Sequence, residues 1–198
     1  MPVTIVEQSM NGVFVLQPDV FRDERGQFWE VFRPDFCQFQ SLPILPLQEN
    51  HSRSRYGVIR GLHFQWRPPM AKLMRVTAGR AFLVAVDIRP ESPTLGQWHG
   101  LEVTAENHLQ VFAQAGFARG FCALTEWAEV QYLCTEKYDA AGESGICWND
   151  PEIGIRWPEL GPRQPILSAK DAGAPTLRQW LARPEAETFR YSPPPAII

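Results

Sequence analysis

Short runs in which apolar and polar residues alternate recur along this chain, and they constrain its fold more than any other feature. Their length and two-residue period are typical of β-strands buried on one face. Turn residues separate them: the chain has 18 prolines, and Ala78-Gly79 supplies the positive-φ residue expected in a hairpin. The predicted strands are Val13–Gln17, Gln27–Phe32, Val58–Gln65, Leu73–Thr77, Phe82–Ile88, Leu109–Ala113, Gly120–Leu124 and Glu129–Thr135.

Helical patterns are scarce, and only Pro34–Ser41 and Ala174–Ala182 carry one. Many short strands without alternating helices predict an all-β fold, a sandwich or jelly-roll barrel with short peripheral helices. At 198 residues the chain has the length of one domain, 1–198. The tail 183–198 is expected to be extended and peripheral.

Composition narrows the class of protein. A hydrophobic fraction of 44% with 21% charged residues is typical of a soluble globular protein. No apolar run approaches the roughly 20 residues that span a bilayer, and the first residues lack the basic flank and apolar block of a secretory signal. The cytoplasm is therefore expected. The net charge of −3 argues against a nucleic acid partner.

The residue types that bind metals form no ligand pattern. The cysteines, Cys37, Cys122, Cys134 and Cys147, include no C-x-x-C pair, so neither a zinc site nor a dithiol redox motif is predicted and free thiols are expected. His63 is followed by Gln65 and not by a second histidine. The other histidines occupy separate segments: His51, His99 and His108. Neither a metal ion nor a cofactor is predicted.

One stretch of the chain is strongly basic. Between Asn50 and Val86 there is no aspartate or glutamate. Such a stretch suits a small anionic ligand such as a diphosphate, although a solvated basic face would have the same composition. Its cations are Arg53, Arg55, Arg60, Arg67, Lys72, Arg75 and Arg80.

Within this stretch, His63 is a candidate general base and Lys72 a candidate cation for a developing oxyanion. Strand alternation places His63 on one face with Gly61 and Gln65, and Arg60, Leu62 and Phe64 on the other. Further on, Tyr132 shares the inner face of its strand with Val130 and Cys134. Taken singly, a histidine or tyrosine in these settings is more often a hydrogen-bonded core residue than a catalyst.

With these residues in place, the chain resembles the dTDP-4-dehydrorhamnose 3,5-epimerase family from about Phe21 to about Asp171. No single motif is decisive, but their joint order over most of the chain is specific. The matching segments are Phe21–Phe28, Gln48–Ser54, Gly57–His63, Asp87–Thr94, Gly116–Phe121, Trp148–Pro151 and Leu167–Asp171.

The resemblance implies a cupin-like jelly roll that acts on a nucleotide-linked 4-keto-6-deoxyhexose without a metal or redox cofactor. It also implies a homodimer whose N-terminal strands cross to the partner. By position, His63 would be the general base, Asp171 its orienting carboxylate, Lys72 the cation for the enolate oxygen, and Tyr132 the proton donor on the opposite face. Inverting a carbon beside a ketone needs this set: a base, an acid on the other face, and a cation at the oxygen.

The resemblance extends to substrate-binding positions. Phe28 and Tyr138 match aromatic partners of the nucleotide base. The remaining matches are Arg25, Glu30, Gln48, Asn50, Arg60, Glu143 and Lys170.

The chain departs from the family at Arg119. The family commonly reads Gly-Phe-x-His-Gly-Phe, whereas here Gly116–Phe121 carries arginine in place of that histidine. Arginine stays charged and cannot exchange protons near neutral pH, but it binds phosphate or a carbonyl oxygen well. We expect Arg119 to face the pocket and to bind substrate, because it replaces a residue that lines the site in the family and shares a strand face with Phe117 and Phe121.

Other functions stay open on sequence alone. One is an epimerase acting at a single carbon, C3 or C5, or on another nucleotide sugar. A second is a non-catalytic jelly roll that binds a sugar nucleotide, expected if Tyr132 or Asp171 lies far from His63. A third is a metal-dependent cupin oxygenase.

Overall fold

Antiparallel strands dominate the protein. A computed structural model describes residues 3–34 and 45–193. The strands in these ranges are β1 (Val3–Ser9), β2 (Val13–Pro18), β3 (Val20–Asp23), β4 (Gly26–Trp29), β5 (Gln48–Arg55), β6 (Ile59–Gln65), β7 (Lys72–Ala78), β8 (Arg80–Asp87), β9 (Trp98–Thr104), β10 (Gln110–Ala113), β11 (Phe117–Ala123), β12 (Trp127–Cys134) and β13 (Glu143–Gly145).

The strands form two sheets and a ribbon. The six-stranded sheet has the order β1-β2-β10-β7-β12-β5, and the five-stranded sheet has the order β13-β6-β11-β8-β9. Among the described strands, β3 and β4 pair only with each other. Because strands of the two sheets alternate along much of the chain and the sheets share one core, the fold is the predicted all-β jelly-roll barrel.

The turn at Gly79 connects two sheets and is not the hairpin turn that the sequence predicted. Gly79 does have a positive φ of 70°. It does not close a hairpin, however, because β7 belongs to the six-stranded sheet and β8 to the five-stranded sheet. A Cβ here would lie 2.3 Å from the carbonyl oxygen of Trp127, so glycine is required where the chain passes between the sheets.

Three apolar clusters hold the barrel together. The largest fills the space between the sheets with residues such as Met74, Phe117 and Val130. A second covers the outer face of the five-stranded sheet, where Trp180 packs on Phe64. The third lies on the six-stranded sheet around Phe14, Leu16, Ala71, Leu73 and Phe112. Both sheets are therefore fixed on two sides, which gives the barrel interior rigid walls.

The C-terminal segment provides the cover of the five-stranded sheet. It contains α1 (Ala169–Ala172), α2 (Leu177–Leu181) and a 3-10 helix (Pro184–Phe189). The helix predicted over Ala174–Ala182 begins later, because Thr176 caps it through a reciprocal pair of hydrogen bonds with Gln179. The prediction of an extended, peripheral tail is wrong up to Phe189, which is 6% exposed and packs on Phe64 and Trp180.

Every predicted strand overlaps an observed one, although Gln27–Phe32 stops at Trp29. The predicted helix Pro34–Ser41 falls almost wholly outside the described residues, as does Cys37. The other cysteines are free thiols: Cys122, Cys134 and Cys147. Within 3–34 and 45–193, no helix has the length and apolar content needed to cross a membrane.

Candidate active site

A cavity of about 110 Å³ opens between the two sheets. The five-stranded sheet contributes Arg60 and His63 from β6 and Arg119 from β11, and the six-stranded sheet contributes Lys72 from β7 and Tyr132 from β12. Met74, Gly120 and Phe121 complete the lining. Side chains that lie far apart in the sequence thus meet across the barrel interior.

A β-bulge brings Arg60 to the same side of β6 as His63. Against β11, His63 pairs with Arg119 and Arg60 with Phe121, so three residue steps on β6 match two on β11. Gly61 permits this with a φ of 126° and a close approach to Gly120, since a Cβ on Gly61 would lie 2.6 Å from the Cα of Gly120. The prediction that Arg60 lies on the face opposite His63 is therefore wrong.

His63 and Asp171 form a hydrogen-bonded pair. Nε2 of His63 lies 2.6 Å from Oδ1 of Asp171, whose side chain is 5% exposed. Burial would raise the pKa of Asp171, but the hydrogen bond from His63 and the Gly61 N–H hold it below its usual value. The carboxylate is thus ionised at neutral pH and accepts from Nε2–H. A neutral His63 then has an unprotonated Nδ1 that can take a proton.

Lys72 and Tyr132 lie side by side on the opposite wall. Nζ of Lys72 is 5.3 Å from the centre of the Tyr132 ring. Burial, followed by the charge of Arg119, lowers the pKa of Lys72 to about 8. Burial also raises the pKa of Tyr132, with Cys134 next in effect. Near neutral pH the pair therefore offers a cation and a protonated phenol, the two forms needed to hold an oxyanion and to give a proton.

Arg119 faces the cavity from β11 and is 3% exposed. Its Nη2 donates to the carbonyl oxygen of Met70 at 2.8 Å. Its Nε and Nη1 have no hydrogen-bond partner among the described residues. Burial lowers the pKa of Arg119 to about 10, which still leaves it charged at neutral pH.

A second polar group lies beside the cavity. Glu143 accepts hydrogen bonds from Tyr138 and Lys170, and burial, which raises its pKa, is outweighed by these bonds so that the pKa is lowered. Gln48 accepts from the Tyr138 N–H at 2.8 Å and donates to Asn50 at 2.9 Å. Because β13 pairs with β6 through Gly145 and His63, this group adjoins the base.

Three predicted substrate-binding residues do not reach the cavity in this chain. Arg25 and Phe28 lie on the ribbon of β3 and β4, where Arg25 pairs with Asp23 and Phe28 is 63% exposed. Glu30 follows the ribbon and pairs with Arg33 at 3.5 Å. The structure therefore separates these three from the residues that surround His63.

The cations of the basic stretch fall into two groups, those that line the cavity and those that lie outside it, and composition alone does not reveal this division. Of its seven cations, only Arg60 and Lys72 line the cavity. Arg53 and Arg55 instead stack on Trp127.

Sequence reasoning also missed Met74 and Phe121 as cavity walls, although each stands two positions beyond a cavity residue on its strand, at Lys72 and Arg119. Among the described residues, no three histidines, cysteines or carboxylates come together as they would around a metal ion.

Comparison with known proteins shows which family of proteins this chain resembles. The family model for dTDP-4-dehydrorhamnose 3,5-epimerase matches residues 7–179. An enzyme of that name from Salmonella typhimurium is 45% identical over 179 residues, which cover 89% of this chain and 97% of the relative.

Solved structures agree with the sequence match. A dTDP-6-deoxy-D-glucose-3,5-epimerase from Legionella pneumophila, in complex with dTDP-4-keto-L-rhamnose, has a TM-score of 0.89 and 39% identity, and the match covers 96% of this chain and 100% of that one. A 3'-monoepimerase from Streptomyces bikiniensis, in complex with dTDP-quinovose, has a TM-score of 0.81 and 35% identity over 86% of each chain. The family match over most of the sequence and the shared fold lead to one conclusion: this chain belongs to the dTDP-4-dehydrorhamnose 3,5-epimerase family.

Proposed function

We propose that this protein inverts C3 and C5 of a dTDP-linked 4-keto-6-deoxyhexose by removing and returning a proton at each carbon. The observation that carries the proposal is that the candidate base and acid stand on facing sheets. His63 belongs to the five-stranded sheet and Tyr132 to the six-stranded sheet, with the cavity between them. A sugar ring held there would have a base on one face and an acid on the other.

The first half of each inversion belongs to His63. Nδ1 takes the proton from the carbon beside the ketone, and the electrons of the broken C–H bond form a C=C bond while negative charge passes to the ketone oxygen. Asp171 accepts from Nε2–H, which fixes the ring and stabilises the imidazolium that forms. Lys72 holds the charge on the oxygen as an ammonium.

The second half belongs to Tyr132. Its phenol gives a proton to the carbon from the opposite face, the ketone re-forms, and the configuration at that carbon is reversed. Water restores the proton on Tyr132, and His63 loses its own to solvent. Each step is assigned to a side chain, so the proposal uses neither a metal ion nor a redox cofactor.

The outlying polar residues fit the nucleotide half of the substrate. We infer that Arg60, Gln48, Asn50, Glu143 and Lys170 bind the polar groups next to the sugar and that the Tyr138 ring, 56% exposed, stacks on the base.

We further infer a homodimer in which the ribbon of one copy lies over the cavity of the other and supplies Arg25, Phe28 and Glu30. The strongly exposed Phe21 and Phe28 support it, because paired apolar side chains on a surface ribbon are typical of an interface. A cytoplasmic location stays a prediction, with free thiols in its favour.

A second candidate is an epimerase that acts at one carbon. Arg119 favours it, because a cavity residue that the family commonly has as histidine is changed here, and the monoepimerase likeness shows that this fold supports such an activity. Both candidates share the base, so they differ only in how many carbons are presented to His63.

Incubation with a panel of nucleotide-linked 4-keto-6-deoxy sugars in D₂O, followed by NMR at C3 and C5, tests the proposal. We expect deuterium and inversion at both carbons. Exchange at one carbon alone would establish the single-carbon epimerase, and binding without exchange on any sugar would leave a non-catalytic binding protein. His63→Ala is the control, because no exchange should remain in it.

A further inference from the structure

Arg119 is a buried cation that the protein leaves partly unsatisfied. Only Nη2 has a protein acceptor, the Met70 carbonyl, while Nε and Nη1 are buried and unpaired among the described residues. A charged donor group out of reach of water is costly unless an acceptor reaches it. Since Arg119 lines the cavity, the missing acceptor is expected to be part of a molecule that enters there.

Among the described residues, the surroundings of Arg119 supply no carboxylate that is free to pair with it. The cavity lining holds Arg60, Lys72 and Arg119 but no carboxylate. The nearby carboxylates are already engaged: Asp171 with His63, and Glu143 with Lys170 and Tyr138. Burial keeps the pKa of the Cys134 thiol raised, so it too is neutral. Two neighbouring cations, Lys72 and Arg119, thus share a cavity with no negative charge between them.

We propose that Arg119 is a specificity-determining catalytic residue that donates one of its unpaired N–H groups, from Nε or Nη1, to the same substrate oxygen that Lys72 holds, the oxygen on which the enolate charge develops. This inference rests on the proposed function. Arg119 stands opposite His63 in the strand register, so its donors lie on the wall from which the proton is removed, while Lys72 approaches from the facing sheet. The guanidinium can only donate, so it selects a ketone or enolate oxygen over a hydroxyl that must itself donate.

The diphosphate of the substrate is the other group that could accept a hydrogen bond from Arg119. Binding of dTDP alone distinguishes the diphosphate from the enolate oxygen, because dTDP has the first and lacks the second. If Arg119 serves the enolate, Arg119→Gln should bind dTDP as the wild type does in calorimetry, while deuterium wash-in from D₂O at pH 7 falls by roughly a hundredfold, a loss typical of removing one oxyanion donor. Arg119→Lys, which keeps the charge but loses the planar fork, should fall between the two. A matched control is Arg80→Gln, which removes an arginine on the adjacent strand that pairs with Glu102 outside the cavity.

The pH profile gives a readout that a purely structural role would not move. Lys72 serves only as an ammonium, so wash-in should decline as pH rises through its pKa of about 8. Of the titratable groups facing Lys72, Arg119 and Lys170 lower its pKa, and Cys134 and Glu143 raise it. Removing the charge of Arg119 should therefore raise the pKa of Lys72 and shift the decline to higher pH.

Wild-type wash-in at pH 7 in Arg119→Gln, or a loss confined to dTDP binding, would overturn the inference while leaving the epimerase intact. A wild-type protein that exchanges no proton on any sugar would instead overturn the proposed function. Loss of a buried unpaired charge should not lower the thermal unfolding midpoint, and this measurement separates a catalytic defect from a folding defect.

Discussion

Replacing Tyr132 with phenylalanine should separate the two halves of the proposed inversion. The substitution removes one oxygen and leaves the ring in place, so the contact between Lys72 and the ring face, 5.3 Å from Nζ to the ring centre, is kept. No described residue hydrogen-bonds the Tyr132 hydroxyl. Loss of this hydroxyl therefore leaves no described protein group without a hydrogen-bond partner. Stability should change by less than about 1 kcal/mol.

The loss in inversion should be far larger. Tyr132 is the proposed donor on its wall of the cavity, and loss of a general acid costs roughly a hundredfold or more, equivalent to about 2.7 kcal/mol of barrier. Proton removal by His63 and charge stabilisation by Lys72 are untouched. Deuterium from D₂O should thus still enter the sugar, but the enolate should be reprotonated from the face that it left, which returns labelled starting sugar.

One NMR time course in D₂O measures both quantities, deuterium content and epimer ratio. Tyr56→Phe is a matched control, because it removes the same atom from a tyrosine outside the cavity, under Arg163. The division of roles is wrong if Tyr132→Phe inverts at the wild-type rate, or if it loses exchange as completely as His63→Ala. In either case the acid must be another group.

Two further substitutions test the site and the fold. Asp171→Asn removes the charge that accepts from Nε2–H of His63, so wash-in and inversion should fall together by about 10²–10⁴-fold in the same assay, and wild-type rates would exclude Asp171 from the mechanism. Asp87 is fully buried, and although burial raises its pKa, hydrogen bonds from Arg89, Ser92 and Thr94 hold the pKa below its usual value. Its stabilising effect is thus present at neutral pH and lost as pH falls below the unfolded-state pKa, toward the lower folded one. Asp87→Asn should lower the free energy of unfolding in urea at neutral pH by about 3–5 kcal/mol and weaken its dependence on acid pH; an unchanged acid dependence would contradict this assignment.

Strands with one buried face could be predicted because burial itself imposes the two-residue period. β12 is an example, with Val130 and Cys134 buried and Tyr132 directed into the cavity. β5 was missed for the same reason: it is an edge strand, Gln48–Arg55, that pairs through its backbone and has no apolar side chain to reveal it. Periodicity detects burial, and pairing without burial leaves no comparable pattern.

The site was harder to predict where the chain departs from regular strand alternation or has too few apolar residues to show a pattern. Alternation assigned Arg60 to the wrong face because a bulge is a local irregularity that hydrophobic pattern does not register. The tail was mistaken for a peripheral segment because the two buried residues of its 3-10 helix, Ala186 and Phe189, are too sparse to show a period. The positions of Asp171 and Arg119 relative to His63 depend on tertiary folding, and the family resemblance suggested them, whereas the basic stretch that Lys72 shares with His63 had already made Lys72 a candidate.

The position of Asp171 has a consequence for the timing of synthesis. It lies 108 residues after His63. It is held on α1 by the same C-terminal segment whose Trp180 and Phe189 rings pack on Phe64, the neighbour of His63. On the ribosome every strand that the structure describes emerges before this segment, so we expect a nascent chain to pair its strands while its base still lacks an orienting carboxylate. Enzymatic activity would then begin only when the C-terminal segment docks, and its onset would report the completion of folding.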